Sequence, residues 1–212
     1  MADPFRFPDA IHRTLARLAT LPEVGDFYLA GGTAVAVHAR HRVSRDLDFF
    51  SREPGVSLER VKRAVIRAYL ETVVVGETDV ALRMLVQGLP VAFVSYPYPP
   101  GSALGSFDGI ALASPLDLAV MKLAALSRRG LRRDFWDLWV LVRGGIPLDA
   151  AGAAYCRRFG TREADLYHVM RALTYLDDAE REATPPEGMT SALWSEIRES
   201  FLREAPKLVT LS

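Results

Sequence analysis

The chain has 212 residues, 50% of them hydrophobic, with 26 basic and 26 acidic side chains and so a formal net charge of zero. That length supplies core for one ordinary domain or two small ones, and the even balance excludes a protein drawn to nucleic acid by its overall field. A single cysteine, Cys156, excludes an intrachain disulfide and a cysteine-built metal cluster, and no apolar run approaches the roughly 18 residues of a membrane span.

The opening "MADPFRFPDA" lacks the basic-then-apolar order of a secretory signal. Together with the lone thiol, read as a small buried hydrophobe, this predicts a reducing, cytoplasmic setting without membrane association. "DAIHRTLARLATL" carries apolar residues at helical spacing, "DFYLA" reads as a strand, "TAVAVHARH" as a short helix and "DLDFF" as a second strand. A helix follows at "SLERVKRAVIRAYL", then β-rich runs at "ETVVVGE", "DVALRMLVQ" and "LPVAFVSYPY". The Pro/Gly/Ser-rich stretch "YPYPPGSALGS", residues 96–106, closes this pattern. Beyond it the chain reads as helical. "SPLDLAVMKLAALSRR" opens with Ser114 as N-cap, Pro115 at the first helical position and Asp117 in the first turn. Gly130 ends that segment, and "RRDFWDLWVLVR" makes another helix up to Gly144 and Gly145. The expected class is α+β: a mixed-sheet core over residues 1–106 followed by a mainly helical lobe over 107–212.

Within the first part, "LAGGTAVAVHARHRVSRDLDFFS" places two aspartates where a buried strand is expected. Residues i and i+2 of a strand share a face, so Asp46 and Asp48 project together while Leu47 and Phe49 point the other way. Like charges that close repel unless a cation lies between them. Mg²⁺ is the natural cation, since it is commonly held by one or two carboxylates plus the phosphates of a substrate. Gly31 and Gly32 fit the same chemistry, because without a Cβ they let a phosphate approach the backbone, and amides near Thr33 can donate to it. A lone Asp-x-Asp or Gly-Gly is weak, and the latter lacks the spacing of a P-loop. The ordered set of strand, Gly-Gly-Thr, helix and Asp-x-Asp strand is more specific.

Two basic clusters flank acidic residues. Arg40, Arg42, Arg45 and Arg52 surround the aspartate pair, and Lys122, Arg128, Arg129, Arg132, Arg133 and Arg143 surround Asp134 and Asp137. Any one of these arginines reads as solvated surface, whereas the clusters together read as polyphosphate-binding, with Arg45 and Arg128 assigned to phosphates. Lys122 and Arg129 are two helical turns apart and could share one face. Asp134 also reads as a helix N-terminal carboxylate beside Arg132 or Arg133, and Asp137 as a buried carboxylate that must be paired.

These two stretches carry a resemblance. "LAGGTAVAVHARHRVSRDLDFFS" and "LASPLDLAVMKLAALSRRGLRRDFWDLWVLV" resemble the motifs of the AbiEii/AbiGii toxin family within the DNA polymerase beta-like nucleotidyltransferase superfamily. The resemblance runs from about Phe27 to Val142. It implies transfer of a nucleoside monophosphate from an NTP to an acceptor, with RNA such as a tRNA end as acceptor, the setting of a toxin–antitoxin system and a cognate antitoxin as partner. By position it implies that Gly31, Gly32 and Thr33 cradle phosphates, Asp46 and Asp48 hold Mg²⁺, and Lys122 contacts the triphosphate. Asp134 and Asp137 would complete or brace the site. One departure stands out: such transferases usually carry a third carboxylate on a later strand, and "LPVAFVSYPYP" contains none.

His38 and His41 lack a third ligand at suitable spacing and read as solvated. Tyr96 and Tyr98 could stack on a base, though packing is the commoner role at a strand end. Three classes therefore stay open: a nucleotidyltransferase, a catalytically weak nucleotide-binding module, and a protein that binds an antitoxin through its helical lobe.

Overall fold

The computed structural model of the chain describes residues 7–68, 71–162 and 166–209. It divides into two compact units, Met1–Ser114 and Pro115–Ser212.

The first unit is built on a mixed sheet. Helix α1 (Asp9–Leu18) buries Ile11, Leu15 and Leu18 at the spacing its amphipathic pattern dictates. A 3₁₀ turn at Pro22–Asp26 leads into β1 (Phe27–Ala30), which passes directly into α2 (Gly31–Ala39) and then to β2 (Leu47–Ser51). After α3 (Leu58–Ala68) come β3 (Thr72–Glu77), β4 (Ala81–Val86) and β5 (Leu89–Val94), then β6 (Gly105–Phe107) and β7 (Ile110–Leu112). The seven strands lie in the order β3-β4-β5-β2-β1-β7-β6. β2 runs antiparallel to β1 and parallel to β5, which makes it the centre of the sheet.

Along β2 the expected alternation holds: Leu47, Phe49 and Ser51 are buried, Asp48 and Phe50 half-buried. Phe49 stacks on Phe93 of β5 at 4.9 Å, and Phe27 of β1 meets the same ring edge-on at 5.2 Å. This aromatic layer fixes the strand that carries Asp48. Asp46 lies one residue before β2 and not within it.

The boundary between the units falls after Ser114, eight residues later than the composition break suggested. The reason is a β-hairpin. Asp108 and Gly109 both have positive φ (49° and 78°) and join β6 to β7, with Phe107 opposite Ile110. An Asp-Gly pair is the usual filling of such a tight turn, and β7 then pairs with β1 through Leu29 and Leu112. Tyr69 and Leu70, expected at the end of the third helix, lie outside the described residues.

The second unit is helical among its described residues: α4 (Pro115–Leu126), α5 (Arg132–Arg143), α6 (Leu148–Phe159), α7 (Tyr167–Thr174), α8 (Asp177–Glu180) and α9 (Ser191–Glu204). α4 starts at Pro115 as expected, since a proline at the first helical position sacrifices no hydrogen bond. Phe135 of α5 packs edge-on against Trp194 and Phe201 of α9. Asp117 and Arg158, each 3% exposed, tie α4 to α6 at 3.2 Å. Cys156 is buried, as read from the sequence. No described helix is long and apolar enough to cross a membrane.

The packing of Phe49, which is 0% exposed, yields a test. Phe49→Ala should lower unfolding free energy by about 3–5 kcal/mol in urea denaturation. A loss below about 1 kcal/mol would mean the aromatic layer does not hold β2.

Candidate active site

The first cluster of candidate residues forms where β1 becomes α2. Ala30, at the cap position, makes no side-chain cap hydrogen bond, so the first-turn amides of α2 depend on another acceptor. Gly31 sits at φ +66°, and a Cβ there would lie 2.4 Å from Asp48 Oδ2. Only a residue without a side chain allows this carboxylate to approach the helix start. A Cβ on Gly32 would meet the Arg42 guanidinium at 2.4 Å and Ser44 Oγ at 3.1 Å. Both glycines are therefore close-approach positions, occupied on one side by a carboxylate and on the other by a cation.

Asp46 is gripped twice. The Thr33 hydroxyl donates to its backbone carbonyl, and Ser44 Oγ donates to its Oδ1 at 2.8 Å. Thr33 is 1% and Ser44 3% exposed. From the sequence, amides near Thr33 are expected to meet phosphate; the Thr33 hydroxyl fastens α2 to the aspartate segment. Ser44 escaped the sequence reading, although Ser-x-Asp-x-Asp puts it two residues before Asp46, where a hydroxyl reaches the carboxylate. Arg42 also went unsingled. It is the arginine brought to the glycine pair, while Arg45 is exposed. Arg42 Nη1 additionally donates to the Val43 carbonyl at 3.3 Å.

In the sheet, Asp48 faces Ala30 on one side and Ala92 on the other. The neighbouring strand β5, of sequence LPVAFV, offers no carboxylate. Among the described residues no group of three or more His, Cys, Asp and Glu side chains is placed to hold a metal. Two carboxylates two residues apart are nevertheless the kind of oxygen donors that suit Mg²⁺, which takes its remaining oxygens from water and substrate phosphate. His38 is exposed, and its Nε2 donates to the Ala113 carbonyl at 2.9 Å.

The second cluster lies in the helical unit. Lys122 Nζ is 2.8 Å from Asp134 Oδ1 and 2.6 Å from Asp137 Oδ2, and both carboxylates are fully buried. Arg129 Nε adds a bond to Asp134 Oδ2 at 3.1 Å. Two cations and two carboxylates thus neutralise each other. Asp134 takes Lys122 and Arg129 as partners, where Arg132 or Arg133 had been expected. Arg129 lies beyond the end of α4, so it and Lys122 do not share a helix face but converge from a helix and its following turn. Arg128 in that turn is exposed. Burial alone would lower the Lys122 pKa, but Asp137 and Asp134 outweigh it and hold the ammonium above the ordinary lysine range.

A family model described as nucleotidyl transferase AbiEii toxin, type IV TA system, matches residues 13–82 and 68–210. The chain belongs to the AbiEii nucleotidyltransferase toxin family. An uncharacterized protein of Aquifex aeolicus (strain VF5) is 31% identical over 195 residues, covering 90% of this chain and 91% of that one. Among solved structures, the fold is similar to MenT4, a nucleotidyltransferase toxin of Mycobacterium tuberculosis H37Rv, with a TM-score of 0.59 at 17% identity, covering 95% of this chain and 85% of that one. It is also similar to a proposed nucleotidyltransferase of Helicobacter pylori, with a TM-score of 0.54 at 19% identity and 96% and 97% of the two chains covered. At these identities the structural likeness speaks for the fold, a mixed seven-stranded sheet with helices, and the family match supplies the reaction class. For this AbiEii-family chain the match runs through both motifs, from the glycine and aspartate stretch to the Lys122 and Asp134 helices.

The buried cluster generates a prediction for the helical unit. Lys122→Met leaves two buried carboxylates without their central partner and should cost about 3–5 kcal/mol of stability, read as a fall in melting temperature. Because the folded pKa of Lys122 is raised, its contribution is complete below the unfolded lysine value of about 10.4 and is lost as pH climbs through the folded value. The wild-type melting curve should carry this alkaline loss and the Lys122→Met curve should lack it.

Proposed function

We propose that the protein transfers a nucleoside monophosphate from an NTP to a hydroxyl of an RNA, such as a tRNA end, and acts as the toxin of a toxin–antitoxin pair. The observation that carries this reading is the acidic pair set against a glycine that cannot bear a side chain: Asp48 Oδ2 would be 2.4 Å from a Cβ on Gly31. Such an arrangement suits a polyphosphate and a divalent ion sharing one crowded spot. Membership in a nucleotidyltransferase toxin family supports both the reaction and the toxin role.

In this reading Asp46 and Asp48 hold Mg²⁺, which supplies charge neutralisation on the triphosphate and polarisation of the attacked phosphorus. The acceptor oxygen bonds the α-phosphorus in line, the bond to the bridging oxygen breaks, and pyrophosphate leaves while the hydroxyl proton passes to solvent. The chain's own part is positional. Ser44 keeps the Asp46 carboxylate in one rotamer, Thr33 keeps Asp46 at the start of α2, and the amides of Gly31, Gly32 and Thr33 donate to phosphate oxygens. Arg42 adds positive charge at Gly32. In the helical unit, Asp134 and Asp137 keep Lys122 charged and in place. Arg45 and Arg128, both exposed, are assigned to phosphates on charge alone.

The absence of a carboxylate on β5 favours a second reading, a module that binds NTP without efficient transfer. Incubation with Mg²⁺, each labelled NTP in turn and total tRNA separates the two. The transferase reading expects label in RNA with wild type and background with Asp48→Ala. Label that persists in the variant, or NTP bound with no label transferred to any acceptor, would contradict it.

A further inference from the structure

The face of the sheet that carries Asp48 continues, uncovered, across β5 and β4. Residues Ala30, Asp48, Ala92, Arg83 and Gly76 form one cross-strand row through five neighbouring strands. Paired residues share a face, so Arg83 stands on the same side as Asp48, two strand spacings or about 10 Å away. On this side Arg83, Pro90 and Val73 are exposed, and Ala81, Leu85, Ala92 and Val94 half-buried. On the other side Leu82, Met84, Val86, Val91 and Phe93 are 2% exposed or less. The uncovered side is therefore a flat shelf of small and apolar side chains that starts at the acidic pair. Arg83 is the one charged residue in β4 and β5.

A row of aromatic rings borders the same shelf. Phe50, two residues after Asp48, meets Tyr96 edge-on at 5.2 Å, and Tyr96 meets Tyr98 at 5.6 Å. The Tyr96 amide donates to Ser51 Oγ at 2.8 Å, which anchors the segment to β2. Phe50, Tyr96 and Tyr98 are half-buried, with area left to contact a ligand.

Resting on the transferase reading above, we propose that this shelf seats the 3′ end of a single-stranded polynucleotide acceptor, with Arg83 on a backbone phosphate and Tyr98 and Tyr96 against bases. Charge and chemistry favour that occupant. Arg83 on β4 puts a cation on the shelf, level with Asp48 in the cross-strand row, which suits an acceptor that brings its own negative charge near the attacking hydroxyl. A polynucleotide terminus does this, because its phosphodiester lies next to its terminal ribose. Aromatic rings beside a cation are the usual means of holding single strands without reading sequence. A serine or threonine hydroxyl of a protein would use neither feature.

The test measures binding of a fluorescent single-stranded RNA with a free 3′ hydroxyl, by anisotropy across a salt series, with NTP affinity by calorimetry in parallel. Arg83→Ala should weaken RNA binding and reduce the slope of log affinity on log salt by about one. Tyr98→Ala should weaken it by roughly fivefold to a hundredfold, while Tyr98→Phe retains wild-type affinity. NTP affinity should be unchanged in all three. Equal RNA affinity in wild type and the Ala variants, or no RNA binding by wild type, overturns the proposal. Label transferred to protein by a wild-type enzyme that binds no RNA would overturn the shelf and leave the transferase standing. RNA bound through Arg83 and Tyr98 with no transfer would support the shelf and sink the transferase.

Discussion

Two carboxylates set two residues apart where the chain enters the central strand, Asp46 just before β2 and Asp48 within it, are the constraint around which the first unit is organised. Two like charges about 6–7 Å apart repel by on the order of 2–3 kcal/mol at surface-like screening. The surroundings fix this arrangement. The stacked rings of Phe49 and Phe93 hold the strand from behind, and Thr33 and Ser44 hold Asp46 from the helix side and the loop. Ser44 restrains the carboxylate through a neutral hydroxyl, so it fixes the geometry without cancelling the charge. Gly31 gives up its side chain so that Asp48 can sit against the backbone.

The helical unit solves the opposite problem. Asp134 and Asp137 are as acidic as Asp46 and Asp48, yet they are fully buried and closed off by Lys122 and Arg129. Buried ion pairs add little net stability over a well-packed apolar core, but breaking one is expensive. The cluster thus works as a lock on the α4–α5 pair and as the device that keeps Lys122 ionised. One acidic pair is neutralised by the chain's own Lys122 and Arg129, while the other lies where β1 passes into α2, beside Gly31 and Ser44.

Much of this was legible in the sequence. Period-two alternation in "DLDFF" put Leu47 and Phe49 opposite Asp48, and the structure keeps that division along β2, with Phe50 on the Asp48 side. Pro115 marked the start of α4. What escaped detection was non-local. Nothing in a linear reading brings Lys122 to Asp134 and Asp137, because helix spacing relates residues on one helix while this contact joins two. Ser44 was passed over, and Arg42 was read only as one member of a basic cluster, because a linear reading does not show their distances to Asp46 and Gly32. The β6–β7 hairpin was hidden for another reason. Its Asp-Gly turn was in view, but strands of three residues carry too few positions to display a period.

Asp46 and Asp48 are proposed to form a site for a divalent cation shared with a nucleotide. Calorimetric titration of a non-hydrolysable NTP with and without Mg²⁺, in wild type and in Asp46→Asn, tests it most directly. The account predicts at least about tenfold tighter binding with Mg²⁺ in wild type, or roughly 1.4 kcal/mol, and loss of that difference in the variant. Equal affinity with and without Mg²⁺ in wild type, or an undiminished Mg²⁺ effect in Asp46→Asn, would contradict it.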